Sequence, residues 1–220
     1  MPTIQYAEQT LYSWLSKNIP AITQTYSSDQ LREKRKQLFQ AQPELSHDLS
    51  EARRVHLSQL AAEFDVQDDW VETAFDVFYE ARQKVKLFPD VLPVLSDLKQ
   101  QYRLVALTNG NAHISKTGLL SYFDFQISAA DVQQAKPHPA MFIKAMQKTG
   151  ISAEKTLHVG DHPVHDIQGA RNAGVDAVWI NRFNQSWSMN AAGDESGSTA
   201  EDKPEQQFID LYQLNEWLKR

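Results

Sequence analysis

Residues 156–166 have the clearest chemical potential in the chain. An apolar stretch stops at Gly160, Asp161 follows it directly, and Asp166 comes five residues later, where a helical pattern begins. Carboxylate oxygens are the ligands that hard cations such as Mg²⁺ prefer. The start of a helix also favours a bound anion, because its first N–H groups have no partner within the helix. This segment therefore predicts a site for a metal and a phosphate.

Two other segments supply complementary groups. Thr108 ends the apolar run 104–107 and precedes Asn109 and Gly110, whose backbone N–H groups can face an anion. Lys136 stands before Pro137, which biases the lysine backbone away from helix. Phosphoryl transfer depends on positioning and charge neutralisation, and a hydroxyl, an ammonium and two carboxylates provide both. We therefore expect the phosphate contacts to come from Thr108, Asn109, Gly110 and Lys136.

The elements that position these residues form an α/β core over residues 86–220. Four apolar strands are predicted, at 103–108, 125–128, 156–159 and 177–180. Helical patterns are predicted between them, at 90–101, after residue 111, at 139–149 and at 164–172. This alternation predicts a Rossmann-like parallel sheet with helices on both faces. Such sheets bind ligands at the carboxyl ends of their strands, where Thr108 and Asp161 stand.

The rest of the chain has a different character. Residues 1–85 contain no convincing strand, and helices are predicted at 6–17, 29–40, 49–64 and 69–84. Ser27 and Ser28 are candidate caps of the second helix, and Asp69 with Glu72 predicts a capping box for the fourth. These helices predict a separate small bundle. Residues 189–206 are predicted to be a mobile acidic loop, 208–211 a return to the sheet edge, and 211–218 a closing helix.

Composition narrows the classes of partner and compartment. A net charge of -6 gives nucleic acid or an anionic membrane no basic face to attract, so a small-molecule or protein partner is expected. The chain has no cysteine, which excludes disulfides and thiolate metal sites. No segment has the length and apolarity of a membrane span or a signal peptide. These features predict a cytoplasmic protein.

The order of these residues along the chain resembles a known family. Thr108, Lys136 and Gly160-Asp161-x4-Asp166, on alternating strands behind a helical segment, resemble the haloacid dehalogenase-like hydrolase superfamily. The likeness is strongest to its phosphatases with a helical cap. Residues 107–112 and 157–161 are similar to bacterial members that act on flavin mononucleotide or a riboflavin-pathway intermediate. The resemblance implies a Mg²⁺-dependent phosphatase of a small phosphorylated metabolite, monomeric or homodimeric, with residues 1–85 as its cap.

The resemblance also implies a role for each residue. In the family, an N-terminal strand ends in Asp-x-Asp, of which the first aspartate attacks phosphorus and the second is the general acid and then base. Thr108 would hold a phosphoryl oxygen, and Lys136 would offset the negative charge of nucleophile and phosphate. Asp161 would ligate Mg²⁺, and Asp166 would orient a metal-bound water or the lysine.

The Asp-x-Asp motif is absent from the 220 residues, since no two aspartates are separated by two positions. Asp76 follows an apolar residue, but it lies on a helical pattern in the predicted bundle. We therefore expect the first core strand to be encoded upstream of Met1 and the chain as given to be nearly inactive. Loss of a central strand would leave its neighbours with buried unpaired groups, at about 1–3 kcal/mol each.

Other readings of the same residues remain open. A non-catalytic relic could bind phosphate or a partner protein, and a dehalogenase of the same superfamily would need no cation. Gly160-Asp161-x4-Asp166 favours the metal-dependent phosphatase over the dehalogenase. A zinc site at His158, His162 and His165 is disfavoured, because the three do not share a helical face. Arg53, Arg54 and His47 in the predicted cap are candidates for contact with the substrate's tail.

Overall fold

The computed structural model describes residues 3–187 and 204–220. The described residues form two compact units, one of residues 3–86 with 110–120 and one that contains 87–109 and the chain from 121 onwards. Within these ranges, no helix combines the length and apolarity required to cross a lipid bilayer.

All regular elements described in the first unit are helices. The described part contains α1 (Thr3–Asn18), α2 (Pro20–Thr25), α3 (Ser28–Ala41), α4 (Leu49–Glu63) and α5 (Val71–Gln83), with a 3-10 turn at Pro43–His47. Ser27 caps α3 through a capping box with Gln30, as the sequence predicts. The predicted capping box at Asp69 is wrong, because α5 starts after Trp70 without a side-chain cap. The short α2 was not predicted, since six residues are too few to display a helical period.

The core of this unit lies between α1, α4 and α5. Phe75 and Phe78 of α5 are buried, and so is Ala74 beside them. Leu11 and Leu15 of α1 belong to the same apolar cluster. Each helix therefore buries the face that its sequence period presents.

Residues 110–120 form turns rather than the short helix that the sequence predicts. The backbone N–H of His113 donates to Gln83 Oε1 at 2.8 Å, and the His113 ring accepts from the Ser115 N–H at 3.2 Å. Gly118 has φ 79°. Side chains that take up backbone groups and a left-handed glycine both interrupt the helical hydrogen-bond pattern.

The second unit alternates strands and helices. Its described elements are α6 (Val91–Lys99), β1 (Val105–Thr108), β2 (Phe125–Ser128), α7 (Ala129–Val132), α8 (Ala140–Thr149), β3 (Leu157–Gly160), α9 (Gly169–Asn172), β4 (Asp176–Ile180), β5 (Gln207–Phe208) and α10 (Leu211–Leu218). A 3-10 turn spans Ala153–Lys155, and a π-helical turn, Pro163–Gln168, leads into α9. The predicted α/β class is confirmed. The predicted helix 164–172 is divided, because the Asp166 and Ile167 N–H groups both donate to the His162 carbonyl.

All strand pairs are parallel, but they form two separate ladders. β1 pairs with β2, with Thr108 opposite Ser128. β3 pairs with β4, which pairs with β5. In the described residues, neither β1 nor β3 has a strand on its other side. The expectation of parallel strands is confirmed, whereas the sheet is divided at the β1 and β3 edges.

Helices cover both faces of the three-stranded ladder. Val178 and Ile180 of β4 pack against Leu214 of α10, and α6 lies beside α10. Ala177, on the opposite face of β4, packs in a cluster with Phe142 of α8. The predicted return to the sheet and the closing helix are confirmed by β5 and α10. Residues 189–203 of the predicted acidic loop lie outside the part of the chain that the structure describes.

Candidate active site

Asp166 is the centre of the polar network at the carboxyl ends of β1 and β3. Its Oδ1 accepts from Lys136 Nζ at 2.5 Å and lies 3.1 Å from His158 Nε2, which must donate because a carboxylate only accepts. Its Oδ2 accepts from the backbone N–H groups of Asp161 and His162, at 3.1 and 3.0 Å. These four hydrogen bonds saturate the carboxylate. Asp166 can therefore orient the groups around it but has little capacity left for a direct metal bond.

Asp166 is held in its ionised form although it is buried. Burial alone would raise the pKa of its carboxyl, but the hydrogen bond from His158 and the charge of Lys136 outweigh that effect. The pKa therefore lies well below its usual value. Lys136 is also buried, so the pair forms a fixed pair of charges within the protein. Such a pair keeps its geometry but costs much stability if one member is removed.

Gly160 allows Asp166 to reach this position. A Cβ atom built on Gly160 would lie 2.3 Å from Asp166 Cβ, far closer than two non-bonded carbon atoms can approach. The strand therefore needs glycine at its last residue for a steric reason, and not for an unusual backbone angle. The apolar run that ends in Gly-Asp thus marks the place where the Asp166 side chain packs onto β3.

Replacing Gly160 by alanine is expected to lower the free energy of unfolding by about 3 kcal/mol or more, because the new methyl group displaces Asp166 from its buried partners. Urea unfolding followed by circular dichroism measures the change. Gly150→Ala is the matched control, since Gly150 has φ 70° and open space around it. An alanine there should cost only about 1–2 kcal/mol, the strain of its left-handed backbone conformation. Equal losses in the two variants would contradict this role of Gly160.

Lys136 is fixed by its backbone as well as by its side chain. The Lys136 N–H donates to Asn109 Oδ1 at 2.7 Å, and Asn109 Nδ2 donates to the Lys136 carbonyl at 2.9 Å. The Lys136-Pro137 peptide bond is cis. Lys136 Nζ also donates to the Leu107 carbonyl at 3.1 Å, which joins it to the end of β1. Among the residues that the structure describes, two of its three ammonium protons therefore have acceptors, which leaves one for a ligand.

The predicted phosphate residues lie at the end of β1. Thr108 is the last residue of β1, and Asn109 follows it. Asn109 was expected to act through its backbone, but its side chain binds the Lys136 backbone and so positions the lysine. Gly110, which follows Asn109, belongs to the turn segment of the first unit. The second unit thus brings together Thr108, Asn109, Lys136 and Asp166.

Asp161 differs from Asp166 in its surroundings. Its residue is exposed, and its backbone carbonyl accepts from Trp179 Nε1 at 2.9 Å, which anchors the loop. No side chain in the described ranges pairs with its carboxylate. No three of the histidine, aspartate and glutamate side chains in these ranges are grouped so as to hold a metal ion. Among the residues described, Asp161 is therefore the one site carboxylate that could bind a cation directly, with water completing the shell.

The three histidines near the site have structural partners. His158 binds Asp166 and contacts the Phe142 ring edge to face, with 4.9 Å between centroids. His162 and His165 stack at 4.0 Å. Burial, followed by the proximity of His162, lowers the pKa of His165.

The sequence analysis named His158 only as a disfavoured zinc ligand and did not assign its contact with Asp166. His158 and Gly160 are two positions apart on β3, so they face the same side of the strand. Asp166 packs onto Gly160 on that side and therefore meets the His158 ring. The strand period could have identified this neighbour once Asp166 was assigned to Gly160.

The arginines proposed to contact substrate have other partners. Arg53 is 4% exposed, forms a two-pronged ion pair with Glu8 and lies over the Phe78 ring. Arg54 Nε donates to Glu72 at 2.9 Å. These contacts assign Arg53 to the core of the helical unit and leave it without the exposure that substrate contact requires.

A family model and individual relatives both point to the same family. The family model for haloacid dehalogenase-like hydrolases matches residues 4–174. The chain is 28% identical over 194 residues to the 5-amino-6-(5-phospho-D-ribitylamino)uracil phosphatase YigB of Escherichia coli, covering 84% of this chain and 81% of that protein. It is 32% identical over 113 residues to the phosphoserine phosphatase of Thermus thermophilus, which is 49% of this chain and 45% of that enzyme.

A solved structure extends the likeness to the whole fold. The 2-haloacid dehalogenase from Pseudomonas syringae pv. Tomato DC3000 has a TM-score of 0.86 and 32% identity, covering 100% of this chain and 92% of that one. The expected resemblance to hydrolases of this superfamily, including its phosphatases, is confirmed. Since the family model spans most of the sequence and the fold agrees, the chain belongs to the haloacid dehalogenase-like hydrolases.

Proposed function

We propose that these 220 residues supply the phosphate-holding and metal-holding part of a Mg²⁺-dependent phosphomonoesterase. The observation that carries the proposal is the buried Lys136–Asp166 pair, 2.5 Å apart, together with the exposed residue Asp161, whose backbone N–H donates to Asp166. One group is a fixed cation with a free proton, and the other is an open oxygen ligand. The similarity to the E. coli phosphatase supports the same reaction class.

Each group has a defined task in this proposal. The remaining ammonium proton of Lys136 binds a phosphoryl oxygen or the nucleophile, while Asp166 and His158 keep the lysine in place. The Thr108 hydroxyl binds a second phosphoryl oxygen at the end of β1. Asp161 is the protein ligand for Mg²⁺, which when bound neutralises charge on the phosphate. Asp166 acts through Lys136 and the Asp161 loop, since its own oxygens are occupied by protein donors.

The covalent step requires a carboxylate that these residues do not provide. A nucleophilic aspartate would form a bond to phosphorus as the bond to the leaving oxygen breaks, and a second acid would protonate that oxygen. Asp-x-Asp is absent from the sequence. We therefore propose that the 220 residues alone are inactive or nearly so and that a strand carrying the motif completes the site.

The substrate class and the roles of the two units are proposed from the similarity to known phosphatases. We propose a small phosphorylated metabolite, with a riboflavin-pathway or flavin phosphate as the first candidate because of the similarity to the E. coli enzyme. The helical unit, predicted as residues 1–85, would act as the cap that selects the substrate, and 86–220 as the core. A cytoplasmic monomer or homodimer is the proposed form.

Turnover of para-nitrophenyl phosphate tests this function. We expect none from the 220-residue chain and Mg²⁺-dependent turnover from a protein extended at its N terminus by an apolar strand ending in Asp-x-Asp. The similarity to the Pseudomonas dehalogenase makes halide release from a 2-haloacid the second assay. Halide release without Mg²⁺ would replace the phosphatase by a dehalogenase. No activity in either assay from the extended protein would support the non-catalytic relic.

A further inference from the structure

A small cavity lies in the core of the first unit, between α1, α3 and α4. Its volume is about 20 Å³, enough for one particle of roughly the size of a water molecule. Leucine side chains from the three helices form its apolar walls. Its polar lining includes Glu8, Ser28, Arg53 and His56. A cavity with polar groups in its wall is expected to be occupied, because only apolar cavities stay dry.

His56 lines this cavity with an unpaired imidazole. The residue is 3% exposed, and neither of its ring nitrogens has a hydrogen-bond partner among the residues that the structure describes. Burial, followed by the charges of Arg53 and Arg35, lowers the pKa of the ring to about 3, so the ring is neutral near neutral pH. A neutral imidazole keeps one N–H donor, and a buried donor without an acceptor is costly. The ring therefore requires a partner that the described protein atoms do not supply.

The charges beside the cavity do not cancel. Arg53 donates two hydrogen bonds to Glu8, at 3.2 and 2.6 Å, and Arg35 lies 2.9 Å from the same carboxylate. Two guanidinium groups thus share one carboxylate, which leaves one positive charge in excess. Lys34 does not change this balance, because it pairs with Glu63. Burial, followed by the charge of Arg53, lowers the pKa of Arg35 to about 10, as expected where positive charge is in excess.

Helix α3 adds to the positive potential. Ser28 is its first residue and lines the cavity. The N-terminus of this 14-residue helix is the positive end of the helix dipole. Asp29, the acid in its first turn, is 84% exposed and pairs with Arg32 at the surface. A water molecule would satisfy the imidazole but leave the excess charge uncompensated, whereas an anion would do both.

We propose that this cavity is a binding site for a single-atom anion, with chloride as its ligand. The His56 N–H donates to the anion, and the excess charge of Arg35 and Arg53 balances it. The volume of the cavity excludes larger anions such as phosphate. The site is independent of the proposed phosphatase function, because none of its residues belongs to the candidate active site. Chloride would stabilise the folded helical unit, since the unfolded chain has no such cavity.

Thermal unfolding of the full chain near neutral pH tests the site by comparing sodium chloride with sodium gluconate. At equal ionic strength the two salts screen surface charges alike, but gluconate is too large for the cavity. For a Kd of about 0.1 M, chloride at about 0.5 M should raise the melting temperature by about 2–4 °C more than gluconate does. Bromide should have a similar effect.

Two variants and a matched control separate the site from general effects of salt. His56→Phe fills the cavity with an apolar ring and should abolish the difference between the two salts. Arg35→Met removes the excess charge without changing the lining of the cavity, and it should weaken chloride binding at least about tenfold. His138→Phe replaces an exposed histidine of the second unit and should keep the full difference.

Crystals of the full chain grown in sodium bromide give a measurement that does not depend on stability. We expect an anomalous bromine signal in the cavity, in contact with the His56 ring. This signal and Arg35→Met complete the test if His56→Phe does not fold. A cavity that is empty or holds only water would overturn the anion site. So would equal melting temperatures in chloride and gluconate, or a difference that either variant leaves unchanged.

Discussion

Replacing Lys136 by methionine is expected to lower the free energy of unfolding by about 3–5 kcal/mol, the usual cost of leaving one member of a buried ion pair alone. Methionine keeps most of the volume of the side chain, so the loss reports the charge more than the packing. Asp166 would retain His158 and two backbone donors but would lose its fixed cation. Urea unfolding of the full chain measures the change.

The pH dependence of this loss separates charge from packing. In the wild-type chain the pKa of Asp166 lies below its ordinary value of 3.8, so its stabilising contribution is present above that value and is lost as pH falls through the folded-state pKa. Removing the Lys136 charge should raise the pKa of Asp166, because burial is then opposed mainly by His158, and the carboxyl takes up a proton at a higher pH than in the wild-type chain. The destabilisation should therefore be greatest near neutral pH and smaller near about pH 4.

Two further variants control this experiment. Lys148→Met removes an exposed lysine of α8 from above the Phe125 ring and should cost less than about 1 kcal/mol. Asp166→Asn in the Lys136→Met background should recover part of the stability, because it removes the unpaired charge. A loss that is independent of pH and unchanged by Asp166→Asn would show that Lys136 acts through packing alone.

Replacing Asp161 by asparagine is expected to lower kcat/KM for para-nitrophenyl phosphate by at least about 10²-fold in the protein extended with the Asp-x-Asp strand. The reason is that the proposed function makes Asp161 the protein ligand for Mg²⁺, so its loss would weaken cation binding. The Mg²⁺ concentration needed for half-maximal activity should rise together with the loss of rate. Folding should change by less than about 0.5 kcal/mol, because the Asp161 residue is exposed.

Asp176→Asn is the matched control for this variant. Asp176 is also exposed and lies at the start of β4, opposite Leu157, at the amino end of the same ladder. It should leave both kcat/KM and the Mg²⁺ dependence unchanged. Equal activity of Asp161→Asn and Asp176→Asn would refute the assignment of the metal ligand.

The sequence predicts most regular elements of this fold because their apolar periods are long or sharply bounded. The strand 125–128 and the helix 211–218 have the predicted bounds in the structure. The segment 110–120 could not be predicted, since the Asn111 carbonyl and the His113 N–H are bound by the side chain of Gln83, which is distant in sequence. The π-helical turn was not predicted either, because the hydrogen bonds from both the Asp166 and Ile167 N–H groups to the His162 carbonyl leave no mark in the apolar period.

The candidate site could likewise be predicted only in part. The order of Thr108, Lys136, Asp161 and Asp166 along alternating strands places them at one end of the sheet, which topology alone dictates. The order of residues does not reveal that Asn109 binds the Lys136 backbone or that Asp166 uses both of its oxygens within the protein. Those contacts depend on side-chain geometry, and they decide which carboxylate remains open to a cation.

The division of the sheet also affects how the second unit opens. β1 and β2 follow one another along the chain, as do β3 and β4, so each ladder contains a pair of strands that are neighbours in sequence. Since no strand among residues 3–187 and 204–220 is hydrogen-bonded to both ladders, one ladder can unfold locally while the other stays formed. The amides of the two ladders would then exchange through separate openings with different free energies. A strand bonded to both edges would merge these openings into one cooperative event.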